Sequence, residues 1–320
     1  MTNYPMTTTK ILIIGANGQI GTELAEALAE KHGQDAVVTS DLAPTGRVPR
    51  LAHEALDVTD AAALAAVVAR HRIERVVLLA AALSANGEKH PQWAWNLNMG
   101  GLLNVLELAR TAKLKQVFWP SSIAAFGPTT PATAAQHTVM DPTTIYGISK
   151  LAGERWCAWY HAKHGIDVRS LRYPGLISYK TPPGGGTTDY AVEIFHAALK
   201  DKRYTCFLHH DTRLPMMYMP DAIRATVELM DAPAARIRER GSYNLAGVSF
   251  TPREIADEIA KHVPGFELRC DPDFRQAIAD SWPQVIDDAP ARADWGWHTR
   301  FQLQDMVEDM LRGLRASAQS

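Results

Sequence analysis

The fold is decided near the start of the chain, where the apolar run Lys10-Ile-Leu-Ile-Ile14 leads into Gly15-Ala-Asn-Gly18-Gln-Ile-Gly21. The apolar run predicts a buried strand, and residues 19–31 continue with apolar side chains at helical spacing. Glycines at this turn allow the backbone to approach a pyrophosphate, and the helix N-terminus supplies N–H donors. A tight strand–helix turn would need the same glycines, so the motif alone is weak. The residues predicted to hold a dinucleotide here are Gly15, Asn17, Gly18, Gln19, Ile20 and Gly21.

Strands and helices continue to alternate beyond this turn. The pattern predicts further strands at residues 36–40, 52–56, 76–80, 116–119 and 168–173, and helices at 60–71, 93–112 and 144–164. Strands separated by helices of this length imply parallel βαβ units. We therefore predict an α/β chain built on a Rossmann-type doubly wound parallel sheet, with a smaller C-terminal α/β substrate-binding domain. The expected division is a dinucleotide-binding domain at 1–178 and a substrate-binding cap at 179–320, with 221–245 packing back onto the first domain.

Composition excludes several classes of protein. The chain has 320 residues and a formal net charge of −2, which argues against a nucleic-acid binder and a polybasic membrane anchor. Its three widely spaced cysteines argue against a disulfide framework and a structural zinc site, and His209-His210 has no companion ligands. No apolar run approaches the length of a membrane span. We expect a metal-free cytoplasmic protein, with residues 1–9 a loose extension and Met6 an alternative start.

Two acidic residues follow predicted strands. Asp41 lies about 20 residues beyond Gly21, where a carboxylate can accept hydrogen bonds from the adenosine ribose hydroxyls and repel a 2′-phosphate. This favours NAD over NADP. Asp57, followed by Val58, closes the third strand near the expected adenine position, and a purely structural role for it is equally open.

The reaction is predicted by Tyr146-Gly-Ile-Ser-Lys150, which places a phenol and an ammonium one helical turn apart. A neighbouring ammonium and an oxidised nicotinamide both stabilise a phenolate, so the pKa of Tyr146 should fall toward neutrality. Tyr146 is then a credible base for an alcohol proton. Ser122, just after the fifth strand, could hold the substrate oxygen. Ser121 is its rival, with turn capping as the alternative role.

These residues resemble those of the extended short-chain dehydrogenase/reductase superfamily over essentially the whole chain from Lys10. The resemblance rests on the glycine turn, Asp41, Ala80-Ala81-Ala82, Ser122, Tyr146 and Lys150. It implies that Ser122, Tyr146 and Lys150 are the catalytic trio and that Asn98 supports the site. It also implies cofactor contacts from Ala80, Ala81, Ala82, Asn98, Tyr146, Lys150, Tyr173, Pro174 and Ile177.

Within that superfamily, residues 173–178, 184–191 and 216–222 are similar to the short-chain type of L-threonine 3-dehydrogenase. Such enzymes oxidise L-threonine to 2-amino-3-oxobutyrate with NAD and need no metal. The resemblance implies substrate contacts from Ser84, Ser121, Ser122, Tyr146, Gly186, Thr187 and Trp282. For Gly186 the expected donor is the backbone N–H, and for Thr187 the hydroxyl.

Two other functions remain open from the sequence. A nucleotide-sugar 4-epimerase or dehydratase of the same superfamily would regenerate its bound NAD, and a non-catalytic NAD sensor would turn nothing over. Superfamily members often pair through two long helices, here residues 93–112 and 144–164, so we expect a homodimer acting on a small molecule.

Overall fold

A computed structural model describes residues 9–182 and 184–318. The predicted alternative start at Met6 and all but the last residue of the predicted extension lie outside these ranges. The strands are β1 (Ile11–Ile14), β2 (Val37–Asp41), β3 (Ala52–Ala55), β4 (Arg75–Leu78), β5 (Gln116–Phe118), β6 (Ser121–Ser122), β7 (Thr133–Ala134), β8 (Val168–Arg169), β9 (Leu171–Tyr173), β10 (Gly175–Ile177), β11 (Arg203–Cys206), β12 (Leu214–Tyr218), β13 (Tyr243–Asn244), β14 (Val248–Phe250), β15 (Glu267–Cys270) and β16 (Val285–Ile286). The helices are α1 (Gln19–His32), α2 (Ala61–His71), α3 (Ser84–Lys89), α4 (Pro91–Trp95), α5 (Gly101–Thr111), α6 (Ile145–His164), α7 (Tyr190–Asp201), α8 (Met219–Asp231), α9 (Pro252–His262), α10 (Arg275–Asp280), α11 (Ala289–Trp295) and α12 (Leu303–Ser317).

A parallel sheet of six strands forms the centre of the structure, in the order β3-β2-β1-β4-β5-β8. Ile14 of β1 pairs with Ser40 of β2 on one side and with Leu78 of β4 on the other. The chain adds strands outward from β1 to β3 and then, after crossing over, from β4 to β8. The direction of winding reverses between β1 and β4, and ligands bind outside the carboxyl ends of strands at such a point. The predicted doubly wound sheet is confirmed.

Apolar side chains cover both faces of this sheet, because successive residues along a strand point to opposite faces. Ile11 and Ile13 face a layer that contains α1 and α8. Leu12 and Ile14 face the opposite layer, which contains α2, α5 and α6. The two helical layers hold the strand ends, and therefore the residues that follow them, in fixed positions.

The C-terminal part of the chain has an apolar core of its own. It lies among β10, β12 and β14 and the helices α7, α9 and α12. Helix α8 instead packs beside α1 against the large sheet, together with Tyr243, Leu245, Trp295 and Trp297. Part of 221–245 thus packs against the large sheet in the layer that contains α1. The division into domains at residue 178 stays a prediction.

Two predicted elements are interrupted. The helix expected at 93–112 contains a five-residue π turn, Asn96–Gly100, between α4 and α5. The strand expected at 168–173 divides into β8, which extends the large sheet, and β9, which pairs with β6. Pro120 lies between β5 and β6 and has no N–H to donate, so the ladder of the large sheet ends there.

Side chains cap the starts of α2 and α9. The Asp60 carboxylate caps α2 by accepting from the N–H groups of Ala62 and Ala63. Thr251 and Glu254 form a reciprocal capping box at α9. Within the described ranges, the structure contains no helix that is both long and apolar enough to cross a membrane.

Candidate active site

The turn between β1 and α1 brings backbone into contact with backbone. Gly15 has a φ of 82°, and a Cβ on it would lie 2.5 Å from the amide nitrogen of Ala80. A Cβ on Gly21 would lie 2.5 Å from the carbonyl oxygen of Gly15. Only glycine fits at either position. Because the N-cap residue, Gly18, provides no side-chain cap, the first N–H groups of α1 remain available to an anion.

The glycine turn forms one end of a cleft at the carboxyl edge of the large sheet. Gly15, Gly18, Gln19, Ile20 and Gly21 line this cleft, as the sequence predicts. The Nε2 atom of Gln19 is buried, and no described residue accepts a hydrogen bond from it. A buried unpaired amide is costly unless a ligand or water satisfies it. The turn therefore fits a dinucleotide pyrophosphate, with Gln19 as an additional donor.

Asn17 and Asp41 connect the glycine turn to the end of β2. One carboxylate oxygen of Asp41 accepts a hydrogen bond of 3.1 Å from the backbone N–H of Asn17. The Asn17 side chain bonds to Thr45 and Arg47 in the following loop. Neither residue lines the cleft itself. Asp41 is thus fixed beside the glycine turn, where its expected ribose contact stays a prediction.

Asp57 is exposed and stabilises its own turn. Its Oδ1 accepts hydrogen bonds from the Thr59 N–H and hydroxyl, at 2.9 and 2.7 Å. The next residue, Val58, is buried between α2 and α5. These contacts support the structural alternative for both residues, and neither lines the cleft.

The loop after β4 forms the floor of the cleft. Ala81 lines it, Ala80 lies beneath Gly15, and Ala82 is fastened by Asn98. The Asn98 amide accepts from the Ala82 N–H at 2.8 Å and donates to the Ser149 hydroxyl at 3.1 Å. Asn98, in the π turn, therefore joins this loop to α6. This geometry agrees with a supporting role for Asn98. Asn98 does not itself line the cleft, and its direct contact with the cofactor stays a prediction.

The segment after β9 forms the opposite wall. Tyr173 and Pro174 line the cleft. Ile177, predicted to join them, is fully buried in the C-terminal core and faces away from the cleft. Since successive residues of a strand point to opposite sides, Leu176 lines the cleft while its neighbour Ile177 is directed into the core by the packing of β10 against β12.

The predicted catalytic trio meets in the cleft. Thr144 caps the start of α6, where its hydroxyl accepts from the Gly147 N–H. The first two turns of α6 carry Tyr146 and Lys150 into the cleft wall. The Ser122 hydroxyl, at the end of β6, accepts from the Ala124 N–H at 3.2 Å and lies close enough to the Tyr146 hydroxyl to favour its ionisation. The Lys150 ammonium donates to the Pro120 carbonyl at 2.6 Å and lies 5.4 Å from the centre of the Tyr146 ring.

Burial dominates the titration of this trio. It raises the pKa of Tyr146 to about 12, against a smaller lowering by the hydrogen bond with Ser122. Burial also lowers the pKa of Lys150 to about 7, with Cys157 and Glu154 opposing that change. The protein's own groups therefore raise the pKa of Tyr146, because desolvation disfavours the phenolate, and the lowering expected from a bound nicotinamide stays a prediction.

The predicted substrate residues surround the other end of the cleft. Ser84, Gly186, Thr187 and Trp282 all line it. The Thr187 hydroxyl is buried without a partner among the described residues, which leaves it available to a ligand. The Gly186 N–H, expected to bind substrate, instead donates at 2.7 Å to the carboxylate of Asp189.

Asp189 orders the glycine-rich loop. The same carboxylate oxygen accepts a second bond of 2.7 Å from the Gly185 N–H, and burial raises the pKa of this carboxyl group. A carboxylate that accepts two backbone N–H bonds fixes the loop just before α7. A conformation held in this way presents the hydroxyl of Thr187 to the cleft.

Ser121 also lines the cleft, but its hydroxyl is engaged elsewhere. It donates at 2.6 Å to Glu154, which forms a buried ion pair with Arg172. Sequence reasoning missed this pair because its members are 18 residues apart and on different elements. Of the other missed residues, only Asp189 carried a local signal, because it is a helix-capping residue type that follows two threonines. The other missed residues that line the cleft are neighbours of predicted ones: Leu79, Leu83, Pro120, Ile123, Gly175, Leu176, Thr188 and Asp189.

No metal centre is found among the described residues. None of their His, Cys, Asp and Glu side chains gather in groups of three that could hold an ion. His210 pairs with Asp211 at 3.0 Å on the surface.

The chain matches known proteins along most of its length. The model of the NAD dependent epimerase/dehydratase family matches residues 11–246. An uncharacterized epimerase/dehydratase from Staphylococcus haemolyticus is 47% identical, covering 97% of this chain and 99% of its own.

Two solved structures are similar in both sequence and fold. The holo form of a GalE-like L-threonine dehydrogenase from Cupriavidus necator is 69% identical, with a TM-score of 0.94 over 95% of this chain and 99% of its own. A monomeric L-threonine 3-dehydrogenase from a metagenome database is 47% identical, with a TM-score of 0.93 over 96% of this chain and 99% of its own.

The buried ammonium of Lys150 predicts a specific pH dependence of stability. Its folded pKa, about 7, lies below the ordinary value of 10.5, so the unfolded chain binds more protons between these values. Stability must therefore rise with pH in that window. Relative to Lys150→Met, the unfolding free energy of the wild type should rise by about 2 kcal/mol from about pH 7 to about pH 9.

Denaturant unfolding at several pH values measures this difference. Lys163→Met, at the exposed end of the same helix, is the matched control and should follow the wild type. Parallel curves for the wild type and Lys150→Met would contradict a buried, weakly basic Lys150.

Proposed function

The chain belongs to the NAD dependent epimerase/dehydratase family, and we propose that it oxidises the β-hydroxyl of L-threonine to 2-amino-3-oxobutyrate with NAD. One observation carries this proposal: Ser122, Tyr146 and Lys150 line the same cleft as the glycine turn. The L-threonine dehydrogenases among the solved structures, at 47 and 69% identity over nearly the whole of both chains, support the substrate.

Residues already described would hold the cofactor. The uncapped N–H groups at the start of α1 and the unpaired Gln19 amide would bind the pyrophosphate, and Asp41, beside the glycine turn, would accept from the ribose hydroxyls. A carboxylate there would repel a 2′-phosphate, which favours NAD over NADP. When bound, NAD supplies the hydride acceptor for the β-carbon.

The side chains of the trio divide the proton transfer. Ser122 holds the β-hydroxyl of the substrate, and Tyr146 as phenolate accepts its proton. Because burial opposes ionisation of Tyr146, the reaction needs the positive charge of Lys150 close to the ring. The Pro120 carbonyl holds that ammonium in place by a hydrogen bond of 2.6 Å.

The far end of the cleft fits a small zwitterion. The free hydroxyl of Thr187 can donate to the substrate carboxylate, and the Ser84 side chain lies near the same wall. Trp282 closes the pocket from the C-terminal part of the chain. Lys150 is the only lysine or arginine among the described residues that line the cleft, which favours a small amino acid over the diphosphate of a nucleotide sugar.

Removal of the proton acceptor tests the proposed chemistry. Tyr146→Phe should reduce the rate of NADH formation from L-threonine by at least about a hundredfold, because general base catalysis is lost. Its dissociation constant for NAD should stay within about twofold, since the phosphate and ribose contacts lie elsewhere. Absorbance at the NADH band and ligand titration measure the two quantities.

Tyr160→Phe provides the matched control on the same helix. Its hydroxyl bonds to Glu107 outside the cleft, so turnover should be retained. Near-wild-type turnover of Tyr146→Phe would refute the assignment of the base. Absence of net NADH from the wild type would refute the substrate and favour an epimerase or a sensor.

We further propose that the protein is a cytoplasmic homodimer that pairs through α4, α5 and α6. Helix α6 exposes Ile148, Trp156 and Trp159 at helical spacing, and α4 exposes Trp93 and Trp95. Trp156 and Trp159 are in edge-to-face contact, with ring centres 5.8 Å apart. A contiguous surface of large apolar side chains is typical of a protein interface. Three cysteines without disulfide bonds support the location.

A charge placed in this surface tests the dimer. Trp156→Glu should convert a sedimenting dimer into a monomer, because an unpaired carboxylate would be buried in the interface. Phe274→Glu, at another exposed aromatic ring outside these helices, should leave the dimer intact. A wild type that sediments as a monomer, like the metagenomic relative, would contradict the proposal.

A further inference from the structure

A buried carboxylate continues the row of reactive side chains on α6. Tyr146, Lys150 and Glu154 follow at intervals of four residues, so they lie along one face of the helix. Glu154 is 2% exposed and binds Arg172 in a two-pronged pair, with both bonds 2.8 Å long. The same carboxylate accepts the Ser121 hydroxyl at 2.6 Å.

Arg172 is satisfied on every side. Its remaining nitrogen, Nη1, donates to the Gln136 carbonyl at 3.1 Å and to the Asn244 side chain at 2.9 Å. Its guanidinium also lies 5.4 Å from the centre of the Phe126 ring. The pair therefore joins α6, β9, β13 and the segment around residue 136 in one rigid network.

Stability alone does not account for an ion pair at this place. Two charges taken out of water cost several kcal/mol each, and apolar residues of similar volume stabilise a fold as well or better. A fully bonded pair does supply fixed geometry.

The Glu154–Arg172 pair holds the strand end formed by Pro120, Ser121 and Ser122. This strand end lies beside the reaction centre, which is the trio of Ser122, Tyr146 and Lys150. Ser121 stands between Pro120, whose carbonyl binds the Lys150 ammonium, and Ser122, whose hydroxyl meets Tyr146. Movement of the Ser121 side chain would shift both neighbours, since they share its backbone. Glu154 also lies close enough to Lys150 to favour its charged form.

We propose that the Glu154–Arg172 pair positions the reaction centre: through Ser121 it holds the strand end that presents Pro120 to Lys150 and Ser122 to Tyr146. Glu154 and Arg172 are positioning residues, because they act on the reacting groups only through this link. The kinetic part of the inference rests on the proposed oxidation of L-threonine.

Ser121→Ala removes only the hydroxyl that joins the pair to the strand end. We expect kcat with L-threonine to fall about tenfold, as a hydrogen bond to a charged group is lost. KM for L-threonine and the dissociation constant for NAD should stay within about twofold, because alignment and not binding is affected. Adding Glu154→Gln to Ser121→Ala should reduce kcat less than Glu154→Gln does alone, since both changes break the same link.

Ser170→Ala is the matched control. It removes another buried hydroxyl, whose bond of 2.9 Å goes to Ser242 and not to the strand end, and kcat should be unchanged. If Ser121→Ala raises KM and leaves kcat intact, Ser121 binds substrate directly and the proposal is overturned. Equal losses in Ser121→Ala and Ser170→Ala would also overturn it, by indicating a general loss of structure.

A readout that needs no turnover separates this inference from the proposed function. The NMR signal of the Lys150 Cε in protein with carbon-13 lysine reports the charge of its amine. Ser121→Ala should lower the pKa of Lys150 by about one unit, because the Pro120 carbonyl loses its alignment with the ammonium, while Ser170→Ala should not. An unchanged Lys150 pKa in Ser121→Ala overturns the positioning claim, whether or not the wild type oxidises L-threonine.

Discussion

The hydrogen bond from the buried Lys150 ammonium to the Pro120 carbonyl is the interaction on which the site depends. Lys150 is 3% exposed, and its nitrogen lies 4.5 Å from the centre of the Trp119 ring. No carboxylate among the described residues forms an ion pair with it, so one carbonyl and the rings of Trp119 and Tyr146 compensate for the lost water. An ammonium in such surroundings is costly to charge, which makes it responsive to charge that develops on Tyr146.

This interaction requires α6 to lie unusually close to the strand ends. A Cβ on Gly153 would meet the Trp119 ring, with a contact of 2.7 Å to Cζ2, and one on Gly147 would clash with the Ala124 carbonyl oxygen just beyond β6. Glycine inside a helix costs roughly 1 kcal/mol relative to alanine. The close approach offsets this cost by bringing Tyr146 and Lys150 against Ser122 and Pro120. The large sheet and its two helical layers keep these distances fixed.

Sequence patterns revealed what is local and not what depends on distant partners. The glycine turn, the Tyr146–Lys150 spacing and Ser122 each lie within a few residues of a predicted strand end or helix start, and the structure brings them into one cleft. The Glu154–Arg172 pair and the burial of Ile177 depend on contacts between separate elements. No periodicity marks such contacts. The desolvation that raises the pKa of Tyr146 likewise comes from the assembled fold.

Transfer of hydrogen from the β-carbon of the substrate tests the account most directly. The wild type would be given L-threonine deuterated at the β-carbon, and the NADH formed would be analysed by mass spectrometry. If hydride leaves the β-carbon as proposed, each NADH formed carries one deuterium and turnover is slower than with unlabelled L-threonine. Unlabelled NADH, or no net NADH at all, would contradict it.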